Sequence, residues 1–341
     1  MMPISVLMPT LNSAALLPRH LKSMDPWLDL VEEVVVVDSH SQDATVQMIQ
    51  SALRHPRLRI ISHPKGLYQS WNHGIRQLGS KYCYVSTVGD SITRAGLEEL
   101  HRVAEAFQCD VVISKPRFID KDDRELPEAP WPIDDLFAHF PDTGPALFEG
   151  LDLYFFALAN CTGAILGSSA SNLYRTPCLQ ERPFSTEYGT AGDGAWGLAN
   201  ALDVRLGAVR ERVSTFRYHP KAYLDSDYAV AALNDKLYAL ACRTFACRAG
   251  QSRQFQADAA QLKIDEVMQI AGERLACQKR LEDYRGKKWP WVLNPGAWLA
   301  RFERASQVRR LATLKQSVLP EIHRRKIEAG GRAPCGLTSS P

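Results

Sequence analysis

Four consecutive valines, Val34 to Val37, stand in this chain with no polar residue among them. A strand with one face in water alternates apolar and polar residues. An unbroken β-branched run therefore implies a strand covered on both faces, as at the centre of a parallel sheet. Parallel strands need long crossovers, usually helical, and the flanking sequence supplies them. Short apolar runs at Ile4 to Met8, Leu58 to Ser62, Tyr82 to Val88 and Val111 to Ile113 read as further strands. Between them lie helix-period faces: Leu17, Leu21 and Met24; Val46, Ile49 and Leu53; Trp71, Ile75 and Leu78; Leu97, Leu100, Val103 and Phe107. That order predicts a βαβ sheet with helices on its faces over residues 4 to 114.

The rhythm breaks between 120 and 162, where prolines, acidic runs and the aromatics Trp131, Phe137, Phe140, Tyr154 and Phe155 interleave. A long irregular insertion reads as a lid or binding loop. Ala164-Ile165-Leu166 and Asn172 to Arg175 read as a return to the sheet, followed by a helix near Asp193 to Leu202 and a helical, Arg/Lys-rich tail from residue 228. The expected division is an α/β domain at 1–225 and a helical extension at 226–341. Within the first, 1–114 form one half and 115–225, holding the insertion, the other. The last residues, about ten, are expected to be flexible.

Composition narrows the class. Of 341 residues, 45% are hydrophobic and 23% charged, which excludes disordered and fibrous chains, and a net charge of +3 gives no reason to invoke nucleic acid. The first strand begins without a basic leader or cleavage site, and no apolar run reaches the length of a membrane span, so a cytoplasmic protein is expected. The eight cysteines form no CxxC pair and no zinc-like cluster, and read as core residues. Trp289 to Leu293, then Trp298, Leu299 and Phe302 beside Arg301, Arg304, Arg309, Arg310 and Lys315, permit two readings. One is packing back on the α/β domain, favoured because aromatic stripes are usually core. The other is peripheral contact with the inner face of a membrane.

Ligands of open α/β sheets bind beyond the carboxyl ends of the strands. The residues following the apolar runs are Pro9-Thr10-Leu11-Asn12, Asp38-Ser39-His40-Ser41-Gln42-Asp43 and Gly89-Asp90-Ser91, so hydroxyls, amides and acids gather at one rim. Asp38 at the end of a buried strand suits a ribose or base, and Ser41 and Asp43 suit capping of the next helix. Gly192-Asp193-Gly194-Ala195-Trp196-Gly197 matches the letters of a dinucleotide fingerprint, but no buried strand precedes it and no acid follows at the required distance. It leaves Asp193 at a helix start between glycines, either as a cap or as a carboxylate open to substrate.

These residues resemble the family 2 glycosyltransferases of GT-A fold, bacterial enzymes that use nucleotide-diphospho-sugars, collinearly over residues 4 to 220. Ile4 to Asn12 is similar to that family's opening strand and loop, Val34 to Thr45 to its second strand and acidic loop, and Gly66 to Ile75 to an element covering the donor diphosphate and sugar. Thr87-Val88-Gly89-Asp90 resembles a degenerate DxD metal motif, Thr190 to Trp196 the late motif that supplies a catalytic base, and Tyr218-His219 the motif that follows it. The resemblance implies a mixed sheet flanked by helices and transfer with inversion, from a UDP-, GDP- or dTDP-sugar to a carbohydrate or lipid-linked hydroxyl, in bacterial polysaccharide or glycoconjugate synthesis. It implies Asp193 as general base, with Glu187 the nearest substitute. Pro9, Thr10, Asn12, Asp38, Ser41, Gly66, Tyr68, Asn72, Gly89 and Asp90 would form the donor site. Asp90 and His219 would hold a divalent ion, Mg²⁺ or Mn²⁺. Because Val88 or Thr87 stands where the first acid of DxD is usual, a non-catalytic sugar-nucleotide-binding module is the alternative. A nucleotidyltransferase would need a basic, glycine-rich phosphate loop that is missing, and a nicotinamide enzyme rests only on the misleading glycines.

Overall fold

The structure, a computed structural model, describes residues 1–128, 131–140, 144–161, 165–166, 169–217, 230–285 and 295–330, in two compact units, Met1–Ala241 and Cys242–Pro341. The first begins with β1 (Ile4–Thr10), α1 (Leu17–Met24), β2 (Glu33–Asp38), α2 (Thr45–Ala52), β3 (Leu58–Ser62), α3 (Leu67–Ile75) and β4 (Tyr82–Val85). It continues through β5 (Ser91–Ile92), α4 (Arg94–Phe107), β6 (Val111–Ser114), β7 (Arg117–Ile119), α5 (Pro132–His139), β8 (Ala146–Glu149) and α6 (Gly150–Ala159). Then come β9 (Asn172–Arg175), α7 (Thr176–Glu181), α8 (Gly192–Asn200), β10 (Arg205–Val209), β11 (Ser214–Arg217) and α9 (Val230–Ala249). The second unit contains α10 (Arg253–Gln261), α11 (Ile264–Arg285) and α12 (Pro295–Gly330).

An eight-stranded sheet runs in the order β3-β2-β1-β4-β9-β6-β10-β8, and a smaller one is β5-β11-β7. β3, β2, β1 and β4 are mutually parallel, so their carboxyl ends share one edge. β9 enters antiparallel between β4 and β6, and β8 closes the far edge antiparallel to β10, making the sheet mixed. The valine run is β2, and all four valines are fully buried, each burial contributing about 1.5–3 kcal/mol. α3 covers one face at such close range that a Cβ on Gly74 would lie 2.3 Å from Leu7 Cδ1 and 2.7 Å from Val37 Cγ2. Only glycine permits that approach. α4 begins where the Thr93 side chain accepts the Gly96 amide, and buries Leu97, Leu100 and Val103 on the sheet.

Three sequence expectations change. β4 stops at Val85 instead of Val88, because the chain turns there through Gly89 toward the second sheet. Ile165-Leu166 form a turn and not a strand, and Ala164 lies outside the described residues. The second part of the insertion is interior: β8 extends the large sheet, and α6 is buried from Leu151 to Ala159, with Tyr154, Phe155 and Phe156 fully covered, while residues 121–125 are exposed. Its aromatics serve a core, since an all-round apolar helix has no face to offer water. In the second unit, α11 packs along α12, with Val267, Ile270 and Leu275 buried on the first and Leu311, Leu314 and Val318 on the second. Among the described residues no helix is long and apolar enough to cross a membrane.

Candidate active site

The loops after β1 and β2 are knitted into one surface at the carboxyl edge. Asp38, buried at the end of β2, accepts the Thr10 hydroxyl on Oδ1 at 3.2 Å and the Ser41 amide on Oδ2 at 3.0 Å. Asn12 donates its amide to Ser41 Oγ at 2.9 Å and accepts the Gln42 amide on Oδ1 at 2.8 Å. Asp43 takes the Ala14 amide on Oδ2 and the Thr45 amide and hydroxyl on Oδ1. Asn12 and His40 take positive φ, 47° and 60°, a conformation costly for most side chains and most accessible to Asn, Asp and His. Ser41 caps no helix, contrary to the sequence expectation, because its hydroxyl is used by the neighbouring loop. Pro9 pairs in register with Val37 beside this surface.

On the other side of β1, the turn after β4 carries Gly89 and Asp90. Gly89 sits at φ 107°, in the region glycine alone occupies readily. Asp90 is buried and accepts the Arg217 amide of β11 on Oδ1 at 2.8 Å. Burial raises its carboxyl to about 7, against the opposing pull of that amide and the Arg217 charge. Arg217 donates through its guanidinium to Gly89 O, Asp120 O and the Asp123 carboxylate, so the acidic run at 120–123 folds onto this turn. From beneath, His20 of α1 donates Nδ1–H to the Asp90 carbonyl at 3.0 Å and accepts the Ser86 hydroxyl on Nε2 at 3.1 Å. Burial lowers this imidazole to about 4. The ring is therefore neutral at pH 7, and the two partners fix its tautomer.

Asp193 lies in the first turn of α8, after Ala191 at the cap position, with Oδ1 accepting the Gly194 amide at 2.7 Å. A short 3₁₀ turn precedes it, not a strand, which disposes of the dinucleotide reading. The residue keeps some exposure, yet protein surrounds the carboxyl closely enough that burial raises it to about 6. Its backbone N–H donates to the Tyr68 hydroxyl at 3.1 Å, and a Cβ on Gly192 would come 2.3 Å from Tyr68 Cε2. Tyr68 also stacks on Phe184, whose backbone is clamped in both directions by Asn72: Phe184 N to Oδ1 at 3.0 Å, and Nδ2 to Phe184 O at 2.7 Å. On the same helix Ser70 shares a hydrogen bond of 2.8 Å with Ser39 at the end of β2. α3 thus ties the loop bearing Asp193 to the rim bearing Asp38.

The residues singled out in the sequence fall into three groups. Pro9, Thr10, Asn12, Asp38 and Ser41 form the knitted surface, Gly89 and Asp90 the turn beside it, and Gly66, Tyr68 and Asn72 stand at the start of α3 or on it with Asp193 against it. Asn72 has its amide committed to the Phe184 backbone and is 9% exposed, so it positions a loop and does not reach for a ligand. His219 lies outside the described residues. Sequence reading passed over His20 and Arg217. The first falls on the apolar face of α1 with Leu17, Leu21 and Met24 and looks like core, and the second needs the β5-β11 pairing to come near Asp90. As a metal site, the described residues gather no group of three or more His, Cys, Asp or Glu side chains. Asp90 Oδ2 makes no hydrogen bond among the described residues, so this buried carboxylate fits an ion whose other ligands are phosphates and water, the usual habit of Mg²⁺.

Residues 5–162 match the family described as Glycosyl transferase family 2. Among solved structures, the chain is similar to S. aureus TarS 1–349 in complex with UDP-GlcNAc, at 16% identity over 93% of this chain and 91% of that one, with a TM-score of 0.53. The same protein in complex with UDP gives 17% identity over 91% and 90% of the two chains and a TM-score of 0.50. At that identity the likeness shows a shared fold, the GT-A arrangement of mixed sheet and flanking helices. None of the curated proteins matches the chain in sequence.

Asp193 also bears on stability. Its carboxyl titrates near the ordinary value of about 4 in an unfolded chain and about 6 in the folded one. Between those values the folded state holds the extra proton, so the group favours folding below about pH 4 and that contribution is lost as pH rises through about 6. Asp193→Asn removes the charge and keeps the shape. Chemical denaturation is expected to show the variant about 2–3 kcal/mol more stable than wild type at pH 8 and nearly equal to it at pH 4. A difference that does not change with pH would contradict the raised carboxyl.

Proposed function

Since the chain is a glycosyltransferase carrying a family 2 domain, we propose that it transfers a sugar from a nucleoside diphosphate to a hydroxyl in one displacement with inversion. The observation that carries this reading is the Asp193 carboxylate. It is partly exposed, is raised to about 6 by burial, and is fixed through α3 to the rim where the strands end. An oriented carboxylate of that acidity is suited to take a proton at physiological pH. The acceptor oxygen attacks the anomeric carbon, the bond from that carbon to the diphosphate oxygen breaks, and the acceptor proton passes to Asp193. The nucleoside lies along Pro9, Thr10, Asn12, Asp38 and Ser41. Gly66 at the start of α3 borders the sugar and diphosphate, and the buried Tyr68 holds the Asp193 backbone beside them. Asp90 would hold a divalent ion, with Gly89 allowing the turn that presents the carboxylate. Such an ion would supply positive charge to a departing diphosphate.

UDP-sugars are the first donors to test, because the similar TarS structures hold UDP and UDP-GlcNAc. The acceptor we infer is a carbohydrate or lipid-linked hydroxyl of bacterial envelope or glycoconjugate synthesis, glycosylated on the cytoplasmic side. A non-catalytic binding module is the second reading, favoured by the single carboxylate of the metal turn. Release of nucleoside diphosphate from a bound donor separates the two.

Two measurements test the assignment. Asp193→Asn is expected to keep donor affinity, by calorimetry, while transfer falls by about 10²–10⁴-fold, the usual contribution of a general base. An active variant removes Asp193 from the chemistry and leaves the exposed Glu187 as the next residue to test. For the metal, excess EDTA is expected to stop transfer and added Mg²⁺ or Mn²⁺ to restore it, while Asp90→Asn is not restored by saturating metal. Undiminished transfer in EDTA would make Asp90 a structural residue of its turn.

A further inference from the structure

We propose that the first half of α12 is a docking surface for an anionic lipid bilayer, a role separate from the transfer chemistry. Among the described residues, large hydrophobic side chains are exposed at seven positions, and four of these, Trp298, Leu299, Phe302 and Val308, fall on this one helix. Trp298, Leu299 and Phe302 are 54%, 63% and 73% exposed. At 100° per residue they share one side of the helix, turned away from the side that carries Ala297, Ala300, Leu311 and Leu314 into the packing with α11. They are thus additional to the core of this unit and not part of it.

Charge selects the occupant. Between residues 295 and 315 the helix carries Arg301, Arg304, Arg309, Arg310 and Lys315 against one acid, Glu303. That acid is paired with Arg280 of α11, which cancels its repulsion of an anionic surface. Arg309 is exposed and continues the aromatic side about two turns beyond Phe302, and Arg301 flanks that side with its guanidinium 5.9 Å from the Trp298 ring centroid. Arg310 is paired with Glu273, and Arg304 and Lys315 fall on the opposite side of the helix. A protein partner would match the apolar residues equally well, but Arg301 and Arg309 beside an aromatic pair at a helix surface match the headgroup and acyl boundary of an anionic leaflet. Trp in particular favours that boundary.

The test uses the full chain and sedimentation with vesicles. Binding is expected on phosphatidylcholine mixed with phosphatidylglycerol at low salt, with about tenfold or greater loss on phosphatidylcholine alone or at high salt. Leu299→Ser with Phe302→Ser, and separately Arg309→Glu, are each expected to reduce binding by about tenfold or more at unchanged melting temperature. Leu299, Phe302 and Arg309 are exposed and share one side of the helix, so the two variants probe the same face by independent routes without touching the core. Equal binding to neutral and anionic vesicles, or binding unchanged in either variant, overturns the proposal. So does a concentration-dependent dimer that dissociates in the Leu299→Ser, Phe302→Ser chain while vesicles bind neither form, which would assign the face to a second copy.

Discussion

A strand covered on both faces can offer polar chemistry only at its ends, and that constraint organises the catalytic unit. β2 buries all four of its valines, β1 beside it is nearly as apolar, and helices seal both sides. The parallel pairing of β3, β2, β1 and β4 then sends every carboxyl end to the same edge. Thr10, Asp38 and Asp90 are polar residues of those ends and of the turn that follows β4. The two loops after β1 and β2 spend much of their hydrogen-bonding capacity on each other, which gives a prearranged surface and lowers the ordering cost of binding.

The second half of the site depends on α3. That helix is pressed onto the sheet at Gly74, so its position is set by Leu7 and Val37. From there Asn72 clamps Phe184, Tyr68 fills the space above Gly192 and receives the Asp193 amide, and Ser70 reaches back to Ser39. A residue far along the chain is thereby registered against the rim of the first strands. If Asp193 is the base, substitutions of Asn72 or Ser70 on α3 are expected to act on it through its position, because a displacement of about 1 Å is enough to weaken catalysis about a hundredfold.

Much of this was legible in the residues. The periodicity of Leu17, Leu21 and Met24, the alternation of strands and helices, and the polar residues after each apolar run follow from local physics, and the motif letters around Asp38, Asp90 and Asp193 point to the rim. What stayed hidden depended on long-range pairing. Arg217 lies 127 positions from Asp90, and only the small sheet brings its amide there. The aromatics of the insertion looked like a lid because prolines and acids interrupt them, while α6 places Tyr154, Phe155 and Phe156 in the interior. The family resemblance put Asn72 in the donor site, and only the fold shows its amide hydrogen-bonded in both directions to the Phe184 backbone.

The central claim is that Asp193 acts as the base because its surroundings raise its carboxyl above the ordinary range. The pH dependence of kcat/KM tests it most directly, since that parameter reports the ionisation of the free enzyme. The account predicts an acid limb with a midpoint at about 6, the rate falling about tenfold per pH unit below it as Asp193 takes up its proton. A profile that stays flat down to about pH 5, with its limb near the unperturbed carboxyl value of about 4, would contradict it.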